Sequence, residues 1–310
     1  MHLLIPFASA LSEASTHTLR DLSLPNLARL LAEASPGEIV GSDEYSLTPP
    51  HERALADAWG WHGSDGALPF AAHAAALDGI ATGEQAWGLL TPVHWHVGRE
   101  HISLADPGEL KLSEEDSRRF LDAIRFLFES EGWTLTYGAS TRWYAAHESL
   151  HGLPCASIDR VIGRNVDLWL ASHPQARLVR RLQNEVQMLL YTHALNDERE
   201  ARGELPLNSF WLSGCGRAQP VTPHAGLHVD TSLRAPLLAE DWVGWAEAWR
   251  TLDAGPIAEL LAASPGTGEL ALTLCGERRA QRFERRPRSA WQRLAGGWRS
   301  VAPHTILEAL

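Results

Sequence analysis

Two short apolar segments, near opposite ends of the 310-residue chain, most constrain its fold. His2–Phe7 and Glu269–Cys275 are of strand length, and apolar side chains fill almost all of both. Apolar runs of this length are typical of buried strands. Strand and helix patterns alternate towards both ends of the chain, whereas the middle carries two long helical patterns and a hairpin pattern. We therefore expect an α/β sheet domain, flanked by helices, that a smaller α+β lobe interrupts.

The division of the chain follows from this alternation. Residues 1–89 and 205–310 are expected to form the sheet domain, and residues 90–204 the inserted lobe. The densely charged segment Asp197–Glu204 marks the expected end of the lobe. A length of 310 residues is enough for two such parts.

The lobe contains the two strongest helical patterns. Apolar residues at helical spacing predict a helix over Glu114–Ser130, and Ser113 with Asp116 forms a near capping box at its start. A second helix is expected over about His173–Ala201, with Ser172 as its cap. Both helices carry an apolar stripe that has to be buried against another element.

The remaining elements are shorter and are bounded by proline, glycine and polar residues. We expect helices over Pro25–Ala34, Pro50–Trp59, Phe70–Ile80 and Asp241–Leu252, extended segments over Ala86–Val97, Ser209–Ser213 and Leu227–Asp230, a hairpin of Trp133–Tyr137 with Arg142–Ala146, a turn at Gly214–Gly216 and a loop over Gly37–Pro50.

Composition excludes several classes of protein. A hydrophobic content of 45%, with 13 Trp, is enough for a sizeable core and excludes a disordered chain. The net charge of −11 argues against a nucleic-acid-coating protein or a polybasic membrane-surface protein. Cys155, Cys215 and Cys275 are far apart and form no zinc or disulfide motif. Without a signal-peptide pattern or a long apolar span, we expect a cytoplasmic protein.

Several motifs occur in an order that resembles the archaeal-type cofactor-independent phosphoglycerate mutases of the alkaline phosphatase superfamily. They cover about two thirds of the chain and match poorly over its last part. The motifs are Leu24-Pro25-Asn26-Leu27-Ala28-Arg29-Leu30, Leu47-Thr48-Pro49-Pro50, Leu68-Pro69-Phe70-Ala71-Ala72, Leu112-Ser113-Glu114-Glu115, and the series Asn196, Arg202-Gly203, Pro206, Asn208, Trp211, Gly214 and Gly216. The resemblance implies an alkaline-phosphatase-like sheet domain and a bacterial-type protein.

The resemblance also implies a phosphoryl-transfer site, and the site positions depart from it. Such a site uses a serine nucleophile and two divalent metals held by Asp and His. Here Phe7 stands where the first ligand is implied, Glu52 where the serine is implied, and Gly276 where a late Asp-His pair is implied. We therefore expect that phosphoryl transfer has been lost, with no catalytic residue and no cofactor. Glu52 is also a residue type that the helix dipole favours in a first turn.

Histidines provide the alternative. His94 and His96 share one face of an extended segment, and His101 follows them closely. An HxH pair with a third ligand can hold zinc. The alternative is therefore a metal-dependent phosphomutase or phosphatase, with Zn or Mn held by relocated ligands; otherwise the three side chains are ordinary polar residues at a sheet face.

Arginines are the candidate binding residues. Arg142 matches an arginine on a substrate-domain strand of the resembled family, and Arg99 is a second candidate. A guanidinium binds phosphate or carboxylate through two parallel hydrogen bonds, so a small phosphorylated or carboxylate ligand is expected in a cleft. The other interpretation of Arg142 is an edge-strand residue paired with a local carboxylate.

Two further patterns concern packing and partners. Trp242, Trp245 and Trp249 share one helical face, which favours burial in a core over an exposed patch for a protein partner. The arginine run over Arg278–Arg288 is either a solvated face or a phosphate-binding surface. The sequence thus predicts a binding or regulatory protein, not an enzyme, with no membrane partner.

Overall fold

Three sheets, of five, four and two strands in the part of the chain that the structure describes, and their flanking helices make this a mixed α/β chain. The computed structural model describes residues 1–170, 173–224, 226–263, 270–285 and 301–310. Its strands are β1 (His2–Ile5), β2 (Ser35–Gly41), β3 (Ala86–Val93), β4 (Trp95–Val97), β5 (Ile102–Leu104), β6 (Thr134–Ala139), β7 (Arg142–Ala146), β8 (Ser209–Arg217), β9 (Leu227–Val229), β10 (Leu270–Cys275) and β11 (Arg279–Arg285). Its α-helices are α1 (Glu13–Asp21), α2 (Pro25–Glu33), α3 (Pro50–Trp59), α4 (Phe70–Leu77), α5 (Glu114–Glu129), α6 (Arg177–Tyr191), α7 (Ala194–Ala201), α8 (Arg234–Leu238), α9 (Trp242–Leu252), α10 (Ala258–Ala262) and α11 (Pro303–Leu307).

The chain folds as two compact units. Unit 1 comprises residues 1–59 and 222–310, and unit 2 comprises residues 60–221. The segment 90–204, predicted as an inserted lobe, lies within unit 2. The strand β3 begins at Ala86 and pairs with β7 and β8, so its first residues belong to the sheet of unit 2. The bounds of 90 and 204 stay a prediction.

The sheet of unit 1 is built around the first strand. Its described strands have the order β2-β11-β10-β1-β9, and β1 runs parallel to both of its neighbours. Leu3 and Ile5 lie in the main apolar core of the unit, whereas Leu4 lies in a smaller cluster with Cys275. Because both faces are covered, β1 and β10 have the apolar runs that predicted them as buried strands.

The expected loop over Gly37–Pro50 is wrong at its beginning, where β2 forms. All of β2 is exposed, and it pairs antiparallel with β11 at one edge of the sheet. Pro36 has no N–H to donate, and an edge position tolerates this loss. The turn-forming residues of this segment therefore predict a loop where a strand forms.

The arginine run forms much of β11, which the sequence did not predict as a strand. Arg285 Nη1 donates to the carbonyl oxygens of Leu260, Leu261 and Ala263, at the end of α10, and its Nη2 donates to Glu33. Arg285 thus stabilises the carboxyl end of a helix, as a cation there is expected to do. Arg286 and Arg288 lie outside the described residues.

The tryptophan helix α9 packs into the core of unit 1, as predicted. Trp245 and Trp249 are fully buried, and Trp242 packs beside them. Trp245 Nε1 donates a hydrogen bond of 3.2 Å to the carbonyl oxygen of Phe7. The helix therefore also fixes the turn that follows β1.

Unit 2 is built on an antiparallel sheet of the described order β6-β7-β3-β8. Its core combines the inner face of this sheet with α5 and α6. The predicted cap of α5 is confirmed, because the Ser113 hydroxyl accepts a hydrogen bond of 3.0 Å from the Asp116 N–H. The predicted hairpin is also confirmed, as β6 and β7.

The second long helix is not continuous. It is divided into α6 and α7, and the His193 side chain caps α7 by accepting from the Leu195 N–H. Its predicted cap, Ser172, lies outside the described residues. The division changes the direction of the chain, so that Arg199 points inward and donates to the carbonyl oxygens of Leu110 and Leu205.

Charge pairs hold the segment that the sequence suggested as the end of the lobe. Arg199 is 1% exposed and lies 3.0 Å from Glu204, while Arg202 lies 2.6 Å from Asp116 on α5. A buried charge needs such partners, because an unpaired one is costly. Arg199, Arg202 and Glu204, within the segment Asp197–Glu204, thus form a structural network with Asp116.

The expected turn at Gly214–Gly216 is wrong, because β8 continues through it to Arg217. Gly214 has a φ of +64°, and a Cβ there would lie 2.8 Å from the backbone nitrogen of Ala71 on α4. Only glycine allows the helix to approach the strand so closely. The pair of glycines therefore fixes α4 against the sheet.

A buried aspartate caps α2 from a distant part of unit 1. Asp253 begins a π-helical turn, Asp253–Ile257, that directly follows α9. Its carboxylate accepts from the Leu27 N–H at 2.7 Å and from the Asn26 N–H at 3.2 Å. Asp253 thus satisfies the first N–H groups of a helix that has no cap of its own.

We expect Asp253→Ala to lower the free energy of unfolding by about 2 kcal/mol, because it leaves buried N–H groups of α2 unpaired. Urea unfolding followed by tryptophan fluorescence measures this change. The control is Asp241→Ala, which removes an exposed cap that Asp241 provides to Gly244 at the start of α9. The control should cost about 1 kcal/mol. Equal losses in the two variants would contradict the special role of Asp253.

Candidate functional site

The carboxyl ends of parallel strands are the usual ligand-binding edge of an open α/β sheet. In unit 1, this edge lies where β1 continues into Phe7 and β10 continues into Gly276. These are the two positions that the resemblance assigns to metal ligands. Their surroundings therefore show what this edge can hold.

Phe7 is part of a tight turn. Its φ of 58° is in the left-handed region, and its carbonyl oxygen accepts the hydrogen bond from Trp245. Its ring lies 4.9 Å from the ring of His51, centre to centre. A phenyl ring offers no ligand atom, so an apolar contact occupies the place of the implied aspartate.

Gly276 has no space for a side chain. A Cβ at this position would lie 2.3 Å from the Ser9 hydroxyl oxygen and 2.6 Å from the backbone of Leu310. Leu310 is held there because its carbonyl oxygen accepts from the N–H groups of Arg278 and Arg279, at 3.0 and 2.7 Å. The chain itself therefore fills the place of the implied late ligands.

Glu52 lies in the first turn of α3 and is partly buried. An acidic residue there is favoured by the partial positive charge of the helix start. The correspondence between Glu52 and the implied serine rests on the sequence motif alone. That correspondence stays a prediction.

The three histidines of the alternative lie around the short hairpin of β4 and β5. His94 Nδ1 lies 2.9 Å from the Pro206 carbonyl oxygen, which can only accept, so Nδ1 carries the proton. The ring centres of His94 and His96 are 6.3 Å apart, and His101 is exposed beyond the bend at Gly98. Their ligand atoms do not converge to within 4.8 Å of one another. A metal held by these three needs a rearrangement of the hairpin, and this site stays a prediction.

Arg142 forms the most developed polar cluster of unit 2. Its Nε and Nη2 donate in parallel to the two carboxylate oxygens of Asp78, at 3.0 and 2.9 Å. The buried Tyr144 adds a third hydrogen bond, from its hydroxyl to Asp78 Oδ2 at 2.7 Å. The Arg142 side chain is 45% exposed and that of Asp78 is 19% exposed. We call these three residues the Asp78 cluster.

Electrostatics in the Asp78 cluster favour the charged carboxylate. The hydrogen bonds from Arg142 and then Tyr144 lower the pKa of Asp78, and Asp78 in turn raises the pKa of Arg142. Burial and the adjacent carboxylate raise the pKa of Tyr144, so its hydroxyl keeps its proton and remains a donor. The cluster is therefore an arrangement of donors directed at one carboxylate.

Gly138 makes room for this arrangement. The register of β6 against β7 shifts between Tyr137 and Ala139, as in a β-bulge. A Cβ at Gly138 would lie 2.6 Å from Asp78 Oδ2 and 2.4 Å from the Tyr144 ring. The strand therefore bends around the carboxylate.

The structure shows the other interpretation of Arg142, pairing with a local carboxylate, although β7 lies between β6 and β3 and is not an edge strand. The role of Arg142 as an anion contact stays a prediction, and the sequence did not identify Asp78 or Tyr144 as its partners. Asp78 directly follows α4, where an acidic residue opposes the helix dipole, and Gly138 lies inside β6 although the hairpin pattern predicts it in the turn. Arg99, the second predicted anion contact, lies exposed in the bend between β4 and β5. Its role stays a prediction.

A small cavity also lies in unit 2, lined by residues that include Cys155, Trp169 and Trp211. Its volume of ≈ 30 Å³ is the space of about a single water. Cys155 Sγ lies 3.6 Å from Cys215 Sγ, and this contact and burial raise the pKa of Cys215. Cys215 therefore keeps its proton, and the two buried thiols pack as small apolar groups.

Comparison with known proteins gives a distant likeness of fold. No protein-family model matches the chain, and no curated protein matches it. The structure of a protein from Pyrococcus horikoshii is similar with a TM-score of 0.45 and 14% identity, over 92% of this chain and 87% of that one. The cofactor-independent phosphoglycerate mutase from Thermoplasma acidophilum is similar with a TM-score of 0.39 and 13% identity, over 91% of this chain and 89% of that one.

The second of these structures is of the class that the sequence motifs resemble. The mixed α/β character of the chain is established by its own strands and helices. Identities of 13–14% leave its chemistry to be argued from its own residues. Among the described helices, none has the length and apolar character needed to cross a membrane.

We expect Tyr144→Phe to raise the pKa of Asp78 towards its ordinary value of 3.8, because the carboxylate loses its hydrogen bond of 2.7 Å. A lowered pKa in the folded state contributes stability that is present above the unfolded-state pKa and is lost as the pH falls through the folded-state pKa. The variant should therefore lose this contribution at a higher pH than the wild type. An NMR titration of the Asp78 carboxyl carbon measures the shift.

The control for this titration is Tyr137→Phe. Tyr137 lies on β6 of the same hairpin, and its ring lies 3.8 Å from the guanidinium carbon of Arg118 on α5. Asp78 is not part of that contact. An unchanged Asp78 pKa in Tyr144→Phe, or an equal rise in both variants, would contradict the assigned cause.

Proposed function

We propose that this chain is a phosphoglycerate-mutase-like protein that binds a phosphate or carboxylate ligand without transferring a phosphoryl group, and that it acts as a binding or regulatory protein. The observation that carries this proposal is the packing at the carboxyl edge of the unit 1 sheet. Phe7 and Gly276 occupy the implied ligand positions, and neither offers an atom that can hold a metal. Two-metal phosphoryl transfer needs both nucleophile activation and charge neutralisation, and these residues supply neither.

The packing around Phe7 and Gly276 also disfavours metal-binding side chains at these two positions. Any side chain at position 276 would collide with Ser9 and Leu310, so the edge is adapted to the present residues. The turn at Phe7 is likewise fixed by Trp245 and by the contact with His51. The two positions therefore support a binding role over the implied chemistry.

The Asp78 cluster supports the anion-binding part of the proposal. Its arginine fork and tyrosine hydroxyl already hold one carboxylate in the arrangement that such groups use for a bound phosphate or carboxylate. An external anion would use the same donors after Asp78 is displaced. Arg99 is a proposed second contact.

We expect purified protein to show no interconversion of 3-phosphoglycerate and 2-phosphoglycerate with Mn²⁺, Co²⁺ or Zn²⁺ added, because the implied nucleophile and ligands are replaced. A coupled assay for 2-phosphoglycerate measures this activity. Two variants identify the source of any turnover. Activity that Glu52→Gln abolishes would contradict the proposal and assign a catalytic role to Glu52, whereas activity that a His94→Ala, His96→Ala double variant abolishes would favour the metal-dependent alternative.

We expect 3-phosphoglycerate to raise the melting temperature of the wild type, and Arg142→Ala to lose this rise. Loss of a charge-assisted contact costs about 1.5–3 kcal/mol, or roughly a ten- to hundredfold loss of affinity. Differential scanning fluorimetry measures the shift. The control is Arg217→Ala, since Arg217 is a similarly exposed arginine of unit 2 that lies 2.6 Å from Glu148. An unchanged response in Arg142→Ala would exclude Arg142 as the contact.

A further inference from the structure

The polar cluster around Asp78 has features that an ordinary surface ion pair lacks. A surface pair usually joins two long side chains and contributes little. Here a fully buried tyrosine directs its hydroxyl at the carboxylate, and a bulged strand with a glycine leaves room for it. Three donated hydrogen bonds of 2.7–3.0 Å therefore converge on one carboxylate from two residues of β7, Arg142 and Tyr144.

The position of Asp78 adds a second observation. Asp78 is the residue at which α4 ends, and its backbone N–H donates to Ala74 and Ala76 of that helix. A negative charge at a helix carboxyl end is unfavourable. The carboxylate is thus placed against the preference of its own helix and is stabilised by donors from another element. Residues that break a local rule in this way often mark functional sites.

We propose that Arg142, Tyr144 and Gly138 form a binding site for a carboxylate, and that Asp78 is its resident ligand in the free chain. Asp78 competes with external carboxylates and phosphate monoesters for the same donors, and so controls access to Arg142. The role of external anions rests on the proposed function, whereas the site itself is defined by its contacts with Asp78. The expected ligand class is a small anion with two oxygens that can accept from the guanidinium fork and a third contact from the tyrosine hydroxyl.

The site can be tested without knowledge of the natural ligand. Asp78→Ala removes the resident carboxylate and leaves its donors in place, so sodium acetate and sodium formate serve as probes. We expect either probe to raise the melting temperature of Asp78→Ala saturably, by about 2–4 °C. Sodium chloride at equal ionic strength should not. A second variant, Asp78→Gly, should respond in the same way and protects the test against misfolding of the first.

Matched controls distinguish specific anion binding at the Asp78 cluster from general salt effects. Glu148→Ala removes the carboxylate of the exposed Arg217–Glu148 pair in the same unit and should show no saturable response to acetate. The double variant Asp78→Ala, Arg142→Ala should lose the response. Equal responses in wild type, Glu148→Ala and Asp78→Ala, or no response in either Asp78 variant, would overturn the proposal.

The carboxylate site and the proposed function are tested by different results. Binding of acetate by Asp78→Ala, without any response of the wild type or the variant to 3-phosphoglycerate, supports the carboxylate site and overturns the proposed phosphoglycerate ligand. A response of the wild type to 3-phosphoglycerate that Asp78→Ala does not strengthen supports anion binding and overturns competition by Asp78. If Arg142 binds 3-phosphoglycerate and Asp78 competes with that ligand, Asp78→Ala should bind 3-phosphoglycerate at least tenfold more tightly than the wild type.

Discussion

The pairing of β1 with β9 and β10 is the interaction on which unit 1 depends. It joins residues from opposite ends of the chain, with Ile5 opposite Leu274. In the sequence, all residues of unit 2 therefore come between β1 and the two strands that pair with it. Parallel strands have to be covered on both faces, and the buried side chains of β1 contribute to a core on each. The same pairing brings the turns after β1 and β10 to one edge, where Ser9, Gly276 and Leu310 pack together.

The elements that could be predicted from the sequence are those whose signals are local. The apolar run of β1, the Ser113 cap of α5 and the tryptophan stripe of α9 each specify a structure within a few residues. The elements that could not be predicted depend on distant partners. The strand β2 contains Pro36 and Gly37, and its pairing with β11 stabilises it. The helix α2 has no cap of its own and is capped by Asp253, from the turn after α9.

The same distinction applies to the site. The resemblance singled out Arg142 as a candidate anion contact, and the other interpretation, pairing with a local carboxylate, is the contact that the structure shows. Its partner Asp78 lies 64 residues earlier in the chain and carries no motif. The open space at Gly138 is likewise a property of two packed elements, although a glycine inside a strand is a signal that a close approach is needed. At Gly276 the sequence indicated a missing ligand, but only the structure shows that Leu310 fills the space.

The strength of the Asp78 contact follows from how α4 is held. The glycines of β8 let the backbone of α4 approach the strand closely, and a Cβ at Gly214 or Gly216 would press against this helix and Pro69. The end of the helix, and with it Asp78, is thus delivered to Arg142 with little freedom. A group held in this way acts at a high effective concentration, so an external carboxylate competes with it at a disadvantage. An anion that succeeds has to offer more charge or more acceptor oxygens than a single carboxylate, and a phosphate monoester has both. In the binding site that we propose, the packing of α4 would therefore favour a phosphate monoester over a single carboxylate as the ligand of Arg142.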